Sequence, residues 1–182
     1  MKSQPGKADA IRINRAPVLT LWAAVVAERL GFDRNESMTL GRAVAGLNAY
    51  SKGVSIGLFQ PKPKALRARK AALEQGETIQ VELLHRSVPC QRTPDGLRAL
   101  SRDRPISPKS VQRYLESKFG DSLDASMAVM KKLAGAFTPT VLAERAYDLY
   151  EAFRPEIPRG KRGWGAAGVL DLEKLRALAI PR

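Results

Sequence analysis

Two segments in the first third of the chain have apolar positions that predict an antiparallel pair of helices. Residues 17–31 are apolar around nearly the whole helical circumference, which indicates a helix buried on most sides with Trp22 as a core anchor. A second helix is expected from residue 33 to about residue 51, because Asp33 and Glu36 have the spacing of a capping box. A short connection and small residues favour close packing of the pair: Gly41, Ala43, Ala45 and Gly46.

Residues 77–99 change to β-branched and apolar residues in partial alternation, which is typical of strands. We expect a strand from about residue 78 to residue 88 and a second strand near Leu97. The sequence Thr-Pro-Asp-Gly at residues 93–96 has turn chemistry and would complete a small β-hairpin.

The second half of the chain has helical periodicity again. Residues 107–120 have clear boundaries, since Ser107 is a suitable N-cap, Pro108 fits the first helical position and Gly120 can end the helix in a left-handed conformation. Three further helices are predicted from apolar residues that repeat every three or four positions: residues 122–137, 139–153 and 171–179.

The predicted fold class is mainly α, a multi-helix globular domain with a small β-hairpin, in which a helix-turn-helix-like three-helix unit is one option. Four parts are expected in chain order. They are a flexible basic arm (1–14), an N-terminal helical hairpin (15–60), a basic helix plus the small β-hairpin (61–105), and a C-terminal helical unit with a Gly-rich basic loop (106–182). One domain or two subdomains divided near residues 60–105 both fit this pattern.

Charge narrows the class of partner. Among 182 residues, 31 Lys and Arg against 18 Asp and Glu give a formal net charge of +13, and the sequence pI is near 10.3. Such an excess attracts polyanions, above all nucleic acid. A basic protein with an Arg-rich composition and no such partner is the alternative.

One stretch resembles a known DNA-binding element. ISPKSVQRYL, residues 106–115, is similar to the second helix of helix-turn-helix proteins, the helix that contacts bases. The resemblance implies a first helix just upstream, for which residues 96–102 are the candidate. An amphipathic core helix with a solvated basic face is the other interpretation.

Three groups of side chains are predicted to bind nucleic acid, by phosphate contact, by base contact or by stacking of an aromatic ring. The first is a dense basic segment predicted as a helix, the second is the outward face of helix 107–120, and the third is the Gly-rich loop. Their members are Lys62, Lys64, Arg67, Arg69 and Lys70; Lys109, Ser110, Gln112 and Arg113; and Arg159, Lys161, Arg162 and Trp164.

Signals for catalysis or metal binding are poor. A single His85 and a single Cys90 cannot build a four-ligand zinc site or an internal disulfide, and both are expected to be passive. Pro94-Asp95 with Glu116-Ser117-Lys118 is similar to the carboxylate and lysine signature of a large nuclease family, although Glu116 and Lys118 fall on a predicted helix. We therefore predict no catalytic residues, no metal and no cofactor.

The expected function is non-enzymatic nucleic-acid binding, with DNA favoured over RNA. A protein-interaction or assembly module with a basic face for an acidic partner is the second hypothesis, and a metal-dependent nuclease is the third. The longest apolar run, residues 16–27, is too short to span a bilayer, and no signal peptide is evident, so we expect a soluble cytoplasmic protein without a membrane partner. Homo-oligomerisation is left open.

Overall fold

A buried helix near the N-terminus is the element around which four of the other described helices pack, in a computed structural model that describes residues 9–55, 78–156 and 167–180. The helices within these residues are α1 (Arg15–Arg29), α2 (Arg34–Ser55), α3 (Pro108–Phe119), α4 (Leu123–Gly135), α5 (Pro139–Phe153) and α6 (Leu172–Leu178). The strands are β1 (Ala10–Ile13), β2 (Thr78–Leu83), β3 (Arg86–Thr93), β4 (Gly96–Ser101), β5 (Arg104–Pro105) and β6 (Gly168–Asp171). The mainly helical class is confirmed, with two small antiparallel sheets beside the helices.

Helix α1 is central because its side chains from Pro17 to Ala27 are all buried. It contacts α2, α3, α4 and α5. Trp22 is completely buried, its indole nitrogen donates to the carbonyl of Ala146 at 2.9 Å, and its ring meets that of Phe153 edge to face at 5.3 Å between centroids. The predicted role of Trp22 as a core anchor is confirmed.

Helices α1 and α2 form the predicted antiparallel pair. Asp33 and Glu36 make the reciprocal capping box, since each side chain accepts from the other's backbone amide, at 2.7 and 3.0 Å. A Cβ atom on Gly41 would overlap the carbonyl oxygen of Thr20 and lie 2.9 Å from the amide nitrogen of Ala24. Gly41 is therefore the residue that allows the close approach.

A four-stranded antiparallel sheet, in the order β2-β3-β4-β5, replaces the small hairpin of the prediction. Residues 78–88 are two strands instead of one, because the chain turns at Leu84-His85, where no glycine, proline or asparagine marks the turn. The predicted turn after Thr93 is confirmed, and it joins β3 to β4.

Strand β4 occupies residues for which the helix-turn-helix resemblance implied a helix, so that expectation is wrong for residues 96–102. Tertiary contacts explain the difference. The amide of Leu97 donates to the carboxylate of Glu36 at 3.0 Å, and the amide of Ala99 donates to the hydroxyl of Thr39 at 3.1 Å. Side chains of α2 thus satisfy backbone groups of β4 that β5 does not reach, which fixes the sheet on α2.

The predicted flexible arm is corrected in part, since residues 10–13 form β1 and pair with β6. Ile11 and Ile13 are buried by this pairing. Arg15, which follows this strand, donates to the carbonyl of Pro155 at 2.8 Å, and burial together with the charge of Arg154 lowers its pKa.

Helices α3, α4 and α5 match the predicted boundaries closely. Ser107 and Thr138 cap α3 and α5 as expected, Gly120 adopts φ +56° after α3, and Asp171 caps α6. The three helices each contact α1, and one hydrophobic cluster includes buried residues from β1 through α6. None of the described helices is long and apolar enough to cross a membrane.

Candidate nucleic-acid interface

The outward face of α3 carries two free cations. Burial of Val111, Leu115 and Phe119 against the core orients the helix, and Lys109 and Arg113, one turn apart, are then exposed. Neither side chain makes a hydrogen bond or an ion pair with a residue that the structure describes. Both groups are therefore available to an anionic partner.

Gln112, which was predicted to contact bases, is held at both ends of its amide. Its oxygen accepts from the guanidinium of Arg34 on α2 at 3.4 Å, and its nitrogen donates to the carboxylate of Glu116 at 2.9 Å. The amide therefore links α2 to α3, and it brings Arg34 to the same face as Lys109 and Arg113.

Ser110 is also engaged within the protein. Its hydroxyl donates to the carbonyl of Ser107 at 2.8 Å, while its backbone amide donates to the Ser107 hydroxyl at 3.4 Å as part of the N-cap. Its role in the structure is to complete the first turn of α3.

Two cations that the sequence analysis missed lie in the turn before α3. Arg102 and Asp103 form the two-residue turn between β4 and β5 at φ +50° and +64°, and Arg104 follows. All three side chains are exposed. The signal for them was the sequence SRDRP, in which charged residues interrupt an apolar run, but positive φ without glycine gives no local pattern to detect.

The turn and α3 are joined by a short, fixed connection. The amide of Ile106 donates to the carbonyl of Ala99 at 2.9 Å, and Ser107 caps α3 immediately afterwards. Strand β4 is itself hydrogen-bonded to Glu36 and Thr39 of α2. The turn, α2 and α3 are therefore fixed relative to one another. We give the name basic face to five exposed cations of α2, of the turn with β5, and of α3: Arg34, Arg102, Arg104, Lys109 and Arg113.

The aromatic ring of Tyr114 on α3 is partly covered by another side chain. The guanidinium of Arg42 lies 4.7 Å from the centroid of the Tyr114 ring, and the ring is half-buried. Burial raises the pKa of the Tyr114 hydroxyl, against the opposing charge of Arg42.

Ion pairs lie elsewhere in the described part of the chain. Lys174 pairs with Glu156 at 3.4 Å, and Arg176 pairs with Asp9 at 3.0 Å and also with Glu173. No cation of the basic face has a carboxylate partner within residues 9–55, 78–156 and 167–180.

Three residues considered for catalysis or metal binding are buried or engaged in contacts within the protein. Cys90 is fully buried, and burial, with a contribution from the Glu36 charge, raises the pKa of its thiol to about 12. His85 lies against the ring of Tyr147, with 5.8 Å between centroids. Glu116 accepts a hydrogen bond from Gln112, and within the described residues no group of three or more His, Cys, Asp or Glu side chains could hold a metal ion.

Two predicted groups of nucleic-acid-binding residues lie outside the described residues. They are the basic segment Lys62, Lys64, Arg67, Arg69 and Lys70, and the loop residues Arg159, Lys161, Arg162 and Trp164. Comparison of the chain with protein-family models, with curated protein sequences and with solved structures found no match.

Proposed function

We propose that the protein binds nucleic acid without catalysing a reaction, and that DNA is favoured over RNA. The observation that carries the proposal is the basic face, whose exposed cations have no carboxylate partner among the described residues. Free Lys and Arg groups on a chain of net charge +13 are suited to phosphate contacts, which release counterions when they form.

The scaffold of this interface differs from a helix-turn-helix. In the proposal α3 is presented by α1 and α2 and is preceded by the turn at Arg102-Asp103, so the helix and the turn act together. A unit made of α3, α4 and α5 is not required. The basic segment 62–70 and the loop cations 159–162 remain proposed as additional phosphate contacts.

The test is binding of the purified protein to a labelled random duplex at salt concentrations from about 50 to 200 mM, the range over which phosphate-driven affinity changes strongly. Replacing both Lys109 and Arg113 by alanine is expected to weaken binding and to reduce the slope of log K against log salt by about 2. Both side chains are exposed, so the fold should persist, which circular dichroism would verify.

A matched control separates local contact from total charge. Arg145→Ala with Lys174→Ala removes the same charge from α5 and α6, where both residues are exposed. This control should retain the slope of the parent protein. Equal losses in the two double variants would mean that only net charge matters, and absence of binding at low salt would favour the interaction module with an acidic protein partner.

A further inference from the structure

We infer that the protein has a second anion-binding site, which takes a phosphate group and lies apart from the basic face. Its donors are the guanidinium groups of Arg15 and Arg154 and the hydroxyl group of Tyr150. The site lies at the N-terminus of α1, whereas Arg34 of the basic face follows the C-terminus of the same helix. Helix α1 has 15 residues, which corresponds to a length of about 22 Å, so the two places are well separated.

Two arginines are brought together where α1 begins and α5 ends. Arg15 is the first residue of α1, and its Nε atom donates to the carbonyl of Pro155 at 2.8 Å. Arg154, the residue before Pro155, follows the last turn of α5. Burial lowers the pKa of the Arg15 guanidinium and the charge of Arg154 lowers it further, so the two cations repel each other. An anion bound to both would offset this repulsion.

Neither cation is neutralised within the described part of the chain. Arg15 and Arg154 make no ion pair there, and the two terminal nitrogens of Arg15 have no hydrogen bond to a described residue. Burial and Arg154 lower the pKa of Arg15 by more than Glu156 raises it. The Glu156 carboxylate itself pairs with Lys174 at 3.4 Å. The start of α1 adds positive potential, because Asn14 makes no side-chain cap and the first turn contains no acidic residue.

A buried tyrosine is the independent sign of a ligand. Tyr150 is only 2% exposed, yet its hydroxyl makes no hydrogen bond with a residue that the structure describes, although buried polar groups usually have a partner. Among the described residues Ser126 has the one fully enclosed and unpaired side-chain oxygen, so the Tyr150 oxygen retains contact with solvent and a ligand can reach it.

The Tyr150 hydroxyl lies beside both arginines. Burial raises the pKa of this hydroxyl to about 12, while the charges of Arg154 and Arg15 act to lower it. The hydroxyl is therefore protonated at neutral pH, and it can donate to an anion that the two guanidinium groups hold.

The donor set favours phosphate over a carboxylate or a base edge. A carboxylate and the edge of guanine each present two acceptors in one plane, which a single guanidinium group can engage. Here the donors come from three positions, namely the start of α1, the last turn of α5 and the residue after it. Converging donors suit the several oxygens of a phosphate, whose negative charge also offsets two cations. A small phosphate ester and a nucleic-acid backbone would supply the same group.

The experiment is isothermal titration calorimetry of the full chain with inorganic phosphate, at neutral pH and constant ionic strength. Arg154→Ala should weaken phosphate binding about tenfold and Tyr150→Phe about threefold, because they remove a charged and a neutral donor. Tyr150→Phe retains the ring that packs against Phe153, so its fold should persist, which circular dichroism would verify. Arg145→Ala is the matched control, since it removes one exposed cation from α5 and should leave the affinity unchanged.

Absence of phosphate binding by the parent protein would overturn the inference, and so would equal weakening by Arg154→Ala and Arg145→Ala. Neither result bears on the basic face, whose test is the effect of Lys109 and Arg113 on duplex binding. Duplex binding by Arg154→Ala identifies the source of the phosphate. A reduction of the salt slope by about 0.9 assigns it to the nucleic-acid backbone, and an unchanged slope assigns it to a small phosphate ester.

Discussion

Two turns of the four-stranded sheet have the same backbone geometry, but the first residue is buried in one turn and exposed in the other. Leu84-His85 and Arg102-Asp103 each place two non-glycine residues at positive φ. In the first, which we call the docked turn, Leu84 is only 2% exposed and the His85 ring lies against Tyr147 of α5. In the second, the exposed turn, both side chains face solvent.

The comparison separates a structural turn from a candidate functional one. A non-glycine residue in the left-handed conformation is disfavoured by about 1–2 kcal/mol. At the docked turn the burial of Leu84 offsets this cost. No burial offsets it at the exposed turn, whose cations Arg102 and Arg104 are exposed and have no carboxylate partner among the described residues.

The largest expected difference between the turns is in stability. Leu84→Ala should lower the free energy of unfolding by about 2–5 kcal/mol, because it removes a buried side chain that holds the hairpin on the core. Arg102→Ala should change it by less than about 0.5 kcal/mol, since the side chain is exposed. Urea unfolding of the two variants measures both values, and equal losses would contradict the distinction between the turns.

Alkaline pH should lower the free energy of unfolding through Cys90, which lies on β3, the strand that follows the docked turn. The folded pKa of Cys90 on β3 is raised from 9.0 to about 12, so above pH 9 the unfolded state loses this proton before the folded state does. Its stabilising contribution is therefore complete below pH 9 and declines as the pH rises towards 12, by about 2 kcal/mol near pH 11.

Thermal unfolding across this pH range, with Cys90→Ala beside the parent protein, measures the effect. The variant should lose less stability between pH 9 and pH 11. Part of the decline should persist, because Tyr150 has a pKa raised by burial to about 12 and acts in the same direction. Parallel curves for the two proteins would show that Cys90 does not contribute.

Glycine substitutions give the smallest and most discriminating effect. Asp103→Gly should stabilise the protein by about 1 kcal/mol, because it relieves positive φ at an exposed position. His85→Gly should gain less, since it also removes the ring that contacts Tyr147. Differential scanning calorimetry would rank the two, and an equal gain at both turns would remove the structural role assigned to His85.

The helices were predictable because their signals are local. The capping box of Asp33 and Glu36, the caps Ser107 and Thr138, and the apolar periodicity of α3–α5 each depend on residues within a few positions. The four-stranded sheet was not predictable in the same way. Strand β4 is fixed by hydrogen bonds to Glu36 and Thr39, which lie about 60 residues away in the chain.

The candidate site was predicted only in part. Lys109 and Arg113 followed from the amphipathic pattern of α3, and their exposure is confirmed. The engagement of Gln112 depends on Arg34 of another helix, and the exposure of Arg102 depends on a turn that contains no glycine, proline or asparagine. The first feature has no signal in the local sequence, and the second has only the charged residues that interrupt an apolar run at residues 101–105.

The most direct test of the central claim is the salt dependence of duplex binding after removal of one cation from each turn. Arg102→Ala should reduce the slope of log K against log salt by about 0.9, the value for one phosphate contact. Arg86→Ala, beside the docked turn, should leave the slope unchanged, because that side chain is part-buried and bonded to Asn48. An unchanged slope for Arg102→Ala, or equal reductions for both variants, would contradict the assignment of the basic face as the nucleic-acid interface.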